Sequence, residues 1–346
     1  MKIPVTKRGM IQTALGSIFY LMNDGRTLSG NSTSTSIINE RPPILCFHMS
    51  PRSSDEYLEV LPLLAAGEED DDDGRVVIAF DMPGYGASEN PPRSCTIDEI
   101  SDAFLGAADS ILSETTCDGE DSSENDSRSY VTIGSLIGNY CCVSLASRYP
   151  ERIKAGVLTN PWFNPDASDH SAPSSDTTDS ADSSSKAIED SFVLKDDGSH
   201  LVDLHNKRSR WLDPELNFRV VASEISYLAN RRERYSSGIS IQGGNEYDFE
   251  TPVQQITEME GENNPDFLCI IGESCASMFD RFGLDGTKRF DEACKMLLGD
   301  TDAFRFKDRI VRVERLQGEK STLNVVNQMP EEFAAACNRF LSECGC

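Results

Sequence analysis

Gly134-Ser135-Leu136-Ile137-Gly138, preceded by Ser129-Tyr130-Val131-Thr132-Ile133 and followed by Asn139-Tyr140-Cys141-Cys142-Val143-Ser144-Leu145-Ala146, decides how this chain reads. The leading run is short, β-branched and aromatic, which predicts a buried strand entering a tight turn. The trailing run has helical spacing and stops at Tyr149-Pro150, because proline cannot continue a helix. A glycine on each side of the turn lets backbones approach where a side chain would block them. A strand, a strained turn and a helix therefore follow one another without a spacer.

Working outward, the same alternation recurs. Pro43-Ile44-Leu45-Cys46-Phe47, Val76-Val77-Ile78-Ala79-Phe80, Lys154-Ala155-Gly156-Val157-Leu158-Thr159, Phe267-Leu268-Cys269-Ile270-Ile271 and Arg309-Ile310-Val311-Arg312-Val313 read as strands, and Pro330 through Leu341 as the last helix. Strands alternating with helices, with glycine-rich turns at strand ends, predict a mostly parallel sheet covered on both faces.

The strand, turn and helix around Leu136 resemble the nucleophile elbow of the α/β-hydrolase superfamily, Gly-x-nucleophile-x-Gly. Leu136 stands at the nucleophile position, and Ser135 is one residue early. Tyr149-Pro150-Glu151-Arg152-Ile153, similar to the family's helix end, gives the same count. The most specific match is Asp81-Met82-Pro83-Gly84-Tyr85-Gly86-Ala87-Ser88, similar to the family turn Asp-x-Pro-Gly-x-Gly-x-Ser. His48-Met49-Ser50 looks like the loop that supplies half of the oxyanion hole, where the family usually has His-Gly. The resemblance covers most of the chain outside its polar insertions. It implies an α/β-hydrolase fold, with a mostly parallel central sheet flanked by helices and an inserted helical cap. The core is expected over residues 1–160 and 265–346, and the cap region over 161–264 with an acidic, Ser-rich insertion at 166–190.

What the resemblance implies for chemistry is a degenerate triad. Hydrolysis in this fold needs a nucleophile, a histidine that activates it, a carboxylate that orients the histidine, and two backbone N–H groups for the oxyanion. The nucleophile position is Leu136, the acid position Cys275 and the histidine position Leu323. The histidines are His48, His170, His200 and His205, so none follows residue 205. Leucine can neither attack a carbonyl nor take a proton. Ser135 as a displaced nucleophile is expected to point into strand packing, and Cys275 as a nucleophile would have its pKa raised by Glu273 and Asp280. His48, Met49, Ser50 and Ile137 are the oxyanion and pocket candidates, with His48 read as a brace for its loop. Trp162, His200, His205 and Trp211 are candidates for the cap's roof, although packing is the commoner role for such side chains.

Composition bounds the partners. The chain has 346 residues, 38% of them hydrophobic, and 58 Asp and Glu against 32 Lys and Arg, for a net charge of −26. Gly67–Gly74, Glu114–Arg128 and Asp166–Asp190 carry much of that charge. They hold too little apolar surface to offset the entropy of ordering and are expected to be mobile surface loops. So acidic a chain repels phosphate backbones and anionic lipid, which argues against nucleic acid and membrane surfaces as partners. No apolar window approaches bilayer length. Eleven cysteines without a signal peptide point to a reducing, cytoplasmic setting. No cysteine pair has zinc-ligand spacing backed by a second pair, so no metal or cofactor is expected, and Cys344-Gly345-Cys346 is expected to fray. Two function classes follow. One is a pseudoenzyme that holds a small apolar ligand in a pocket lined by Met49, Leu136 and Leu323, or supports a protein partner. The alternative is a hydrolase-like enzyme with a non-standard catalytic site under the cap.

Overall fold

The structure, a computed structural model, describes residues 4–27, 41–66, 74–115, 128–161, 195–208, 214–242, 247–259, 264–281, 286–298, 305–306 and 309–346. Runs of apolar and β-branched residues bounded by turns form β1 (Pro4–Thr13), β2 (Gly16–Thr27), β3 (Ile44–Phe47), β4 (Val77–Phe80), β5 (Tyr130–Ser135), β6 (Ile153–Thr159), β7 (Asp266–Gly272), β8 (Arg305–Phe306) and β9 (Arg309–Leu316). They make one sheet in the order β1-β2-β4-β3-β5-β6-β7-β9-β8. The middle of that order, β4-β3-β5-β6-β7-β9, is parallel throughout. Antiparallel pairs finish both edges.

Helices cover both faces. The described ones are α1 (Leu61–Ala65), α2 (Ile97–Thr115), α3 (Ile137–Arg148), α4 (Ser199–Arg208), α5 (Pro214–Ser237), α6 (Glu250–Glu258), α7 (Glu273–Arg281), α8 (Gly286–Leu298), α9 (Val325–Gln328) and α10 (Pro330–Glu343), with a short 3-10 turn at Ser54–Tyr57. Because side chains alternate across a strand, the sheet feeds two cores. Phe47 and Phe80 meet Phe104 of α2 at ring distances of 5.1 and 5.0 Å, in a layer shared with α3, α6 and α8. Val131 and Ile133 of β5 face the other way, toward α1 and toward Phe333 and Phe340 of α10. The parallel sheet covered on both faces is thus as the sequence predicts.

Two features differ from the sequence reading. The β1–β2 hairpin is additional to the expected strands, and it extends the parallel sheet through the antiparallel pairing of β2 with β4. Cys344-Gly345-Cys346 does not fray. Arg75 donates from Nη2 to the Cys346 carbonyl at 2.7 Å, the Cys346 amide donates to Leu341, and both cysteines pack against the second core. Most of the three acidic stretches lies outside the described residues. Among the described residues no helix is long and apolar enough to cross a membrane.

Candidate functional site

Leu136 links β5 to α3 with φ 47° and ψ −106°. A bulky residue at positive φ is an outlier, and such strain costs about 1–3 kcal/mol, held only where the surroundings over-determine it. Here they do. The Leu136 amide donates to the Thr159 carbonyl at 3.3 Å, and its own carbonyl accepts from the Asn139 amide at 3.0 Å. The Asn139 side chain then grips Thr159, giving an Nδ2 hydrogen bond to its carbonyl and accepting its amide on Oδ1. The flanking glycines are a packing requirement: a Cβ on Gly134 would meet the backbone of Gly138 and Asn139, and one on Gly138 would fall on the Phe47 carbonyl.

Ser135 ends β5 fully buried. Its place in the alternation is that of Val131 and Ile133, and its hydroxyl lies beside the Glu56 carboxylate, outside regular hydrogen-bond geometry. Cys275 lies in the first turn of α7, fully buried, and burial pushes its thiol pKa well up. Leu323, partly exposed, lies between β9 and α9. The two segments are sewn together: the Cys275 amide donates to the Ser321 carbonyl at 3.1 Å, and the Ser274 amide to Ser321 Oγ at 3.1 Å. Leu136, Cys275 and Leu323 thus follow the carboxyl ends of the parallel strands β5, β7 and β9. Cys275, Leu323 and Ile137 pack into the same apolar core.

On the oxyanion side the candidates separate. His48 is fully buried; its Nε2 accepts the Met82 amide at 2.9 Å and its Nδ1 lies 2.8 Å from the Met49 carbonyl. An amide can only donate and a carbonyl only accept, so the proton is on Nδ1. Burial lowers the His48 pKa to about 4, and the ring is a neutral brace between two loops. The Met49 amide is also spent, donating to Glu56 Oε2 at 2.7 Å. Of the four candidates, Ser50 and Ile137 remain partly exposed. Tyr85 donates from its hydroxyl to Ser50 Oγ at 3.2 Å, and the Ser50–Pro51 peptide bond is cis.

Asp81 shows why its turn needs an acid at that place. Its Oδ1 accepts the Ser54 amide at 2.6 Å and its Oδ2 the Ala87 amide at 2.7 Å, which ties the turn after β4 to the loop after β3. Burial raises the pKa of Asp81, and of Glu56, against these hydrogen bonds. Gly86, at φ +52°, lies directly against Asp81 Oδ2, where a side chain has no room.

Helix α5 lies across both loops. Ser223 Oγ donates to Ser53 Oγ at 2.9 Å, Ser226 Oγ donates to the Gly86 carbonyl at 2.7 Å, and Tyr227 stacks on Tyr85 with ring centroids 4.7 Å apart. Arg219 pairs with Glu59. The histidines proposed for the roof are engaged elsewhere. His200 accepts the Lys195 amide at an exposed position, and His205 packs on Phe218, which is 66% exposed. Trp162 and Trp211 lie outside the described residues. Sequence reasoning missed Glu56, Asn139 and Asn327; the one available signal was an acid, Glu56, set directly before the apolar run that begins at Tyr57. Among the described residues no group of three His, Cys, Asp or Glu side chains could hold a metal ion.

Residues 42–342 match the family described as alpha/beta hydrolase fold. No curated protein is matched by the sequence. In structure the chain is similar to a hydrolase from Pseudomonas aeruginosa PA01, with a TM-score of 0.57 and 15% identity over 97% of this chain and 98% of that one. It is similar to a bromoperoxidase from Bacillus anthracis, at 0.58 and 15% over 97% and 100%. A thermophilic esterase from Thermogutta terrifontis gives 0.55 and 14% over 98% and 99%. Identities this low speak to the fold alone. Together with the elbow at Leu136, the Asp81 turn and the sheet order, the family match over most of the length establishes that the chain belongs to the alpha/beta hydrolase fold family.

Proposed function

We propose that this protein does not carry out Ser-His-Asp hydrolysis, and that the carboxyl edge of its sheet, capped by α4 and α5, holds a small apolar ligand or supports a protein partner. The observation that carries the reading is the leucine in the strained elbow conformation, Leu136 at φ 47°. Cys275 and Leu323 at the other two positions, and the absence of any histidine after residue 205, point the same way. Loss of triad members that act as a unit leaves only oxyanion and binding effects. Leu136, Ile137 and Leu323 are partly exposed apolar groups, in keeping with the mostly apolar character of small-molecule sites. Neither a cofactor nor a metal enters this reading. A cytoplasmic setting accords with the ten described cysteines, all free thiols.

The retained strain at Leu136 favours a second reading, in which the scaffold performs altered hydrolase-like chemistry beneath the cap. One assay tests the form of it in which Ser135 is the nucleophile. Purified protein is expected to turn over short-chain aryl esters no faster than the Ser135→Ala variant does. Robust turnover abolished by Ser135→Ala would establish a displaced nucleophile and overturn the proposal.

A further inference from the structure

A line of polar side chains runs from α5 to the oxyanion loop. Arg219 on α5 pairs with Glu59. Asn327 on α9 places Nδ2 at 3.4 Å from Glu59 Oε2 and donates from the same nitrogen to the Glu56 carbonyl at 2.6 Å. Arg52 Nη1 donates to Asn327 Oδ1 at 3.4 Å. Glu56 closes the line by accepting the Met49 amide on Oε2 at 2.7 Å. Arg52, Glu56 and Asn327 are buried, at 5%, 3% and 8% exposure, whereas the Arg219 and Glu59 side chains keep 27% and 33%. The line therefore begins where solvent reaches it and ends at the residue before Ser50.

We infer that this line couples the position of α5 to the conformation of the oxyanion loop, so that displacing the helix loosens the backbone at Met49 and Ser50. The physical reason is that taking a partner from a buried polar group costs free energy, so each partner in the line holds the next, and coupled hydrogen bonds are worth more than their separate pairs. Asn327 is the junction. Its amide touches Glu59 and Glu56, its oxygen takes Arg52, and it lies four residues after Leu323, so the segment at the former histidine position belongs to the same unit. Without Arg219, the Glu59 carboxylate is drawn toward water. Asn327 Nδ2 then loses its carboxylate contact, and the grip on the Glu56 turn, which holds the Met49 amide, weakens. The coupling does not depend on what the site binds.

Hydrogen–deuterium exchange of the full-length protein, followed by mass spectrometry, tests it. Arg219 is ion-paired outside the loop, to Glu59, although its charge also reaches Asp55; on Arg219→Gln, exchange in residues 47–54, short of Asp55, is expected to quicken roughly fivefold, the size of one lost hydrogen bond. Residues 153–159 of β6, which lie apart from the line, are expected to be unchanged. Arg219→Lys is expected to restore protection. Glu59→Gln is expected to reproduce the effect, with the double variant adding nothing further. Unchanged exchange in 47–54, quickening equal to that of β6, or additive effects of the two substitutions would each overturn the coupling.

Discussion

Leucine at φ 47° in the elbow is strained, and the contacts that hold it, from Thr159 and Asn139, are backbone and amide contacts indifferent to the side chain at 136. Leu136→Ser is therefore expected to fold, and to show no ester turnover above buffer, because neither Leu323 nor Cys275 can take or orient a proton. Measurable turnover from that single change would mean that a base has been overlooked. His48 makes a second prediction at this scale. Its folded pKa is about 4 against an ordinary 6.5, with burial the leading cause. Between those values the unfolded chain binds a proton that the folded chain does not, so stability falls as pH drops through that window and the loss levels off below it. At about 1.4 kcal/mol per unit the total is about 3 kcal/mol. Glu56 and Asp81, whose carboxyl pKa values burial raises, work in the opposite sense on acidification. The test is therefore the stability gap between wild type and His48→Gln, measured by urea denaturation at pH 7 and pH 4.5. That gap is expected to narrow by about 2–3 kcal/mol on acidification; a constant gap would mean that His48 is not held neutral.

Among elements, the contact that fixes the site is α3 against β3. Gly138→Ala would put a methyl group on the Phe47 carbonyl. It is expected to destabilise the protein by about 3 kcal/mol, the upper range for overpacking, whereas Gly106→Ala, with open space around it in α2, is expected to be neutral or slightly stabilising in the same thermal melts. The elements easiest to read in the sequence were those buried on both faces. Ile44–Phe47 and Val77–Phe80 are uninterrupted apolar runs, and the strand before Leu136 is β-branched and aromatic with Thr132 within it, because a parallel strand covered by helices has no solvent face to impose a polar alternation. The β1–β2 hairpin was not legible: Lys7, Arg8 and Gly9 break the apolar pattern of an edge strand that is partly solvated. At the site, Leu136 and Leu323 were counted from Pro150 and Pro330 and Cys275 from the end of the strand before it, each at the position that the resemblance implies. The role of Asn327 could not, since its partner is the Glu56 carbonyl 271 residues away and no local spacing encodes a contact between distant loops; that of Glu56, bound to the Met49 amide within its own loop, belongs to an irregular loop with no repeating pattern to read.

The whole molecule carries a net charge of −26, concentrated in stretches that lie mostly outside the described residues, and self-repulsion of that size opposes compactness at low salt. Deleting residues 167–185 is expected to leave the thermal transition nearly unchanged, or slightly raised in low salt. A loss above about 2 kcal/mol would require a buried contact from that Ser- and Asp-rich tract. The central claim, that an intact hydrolase fold has lost its nucleophile, meets its most direct test in the intact mass of the protein after incubation with an excess of a fluorophosphonate, which phosphonylates activated serines. The mass is expected to stay unchanged. A stoichiometric adduct on Ser135, or on any other serine beneath α5, would contradict it.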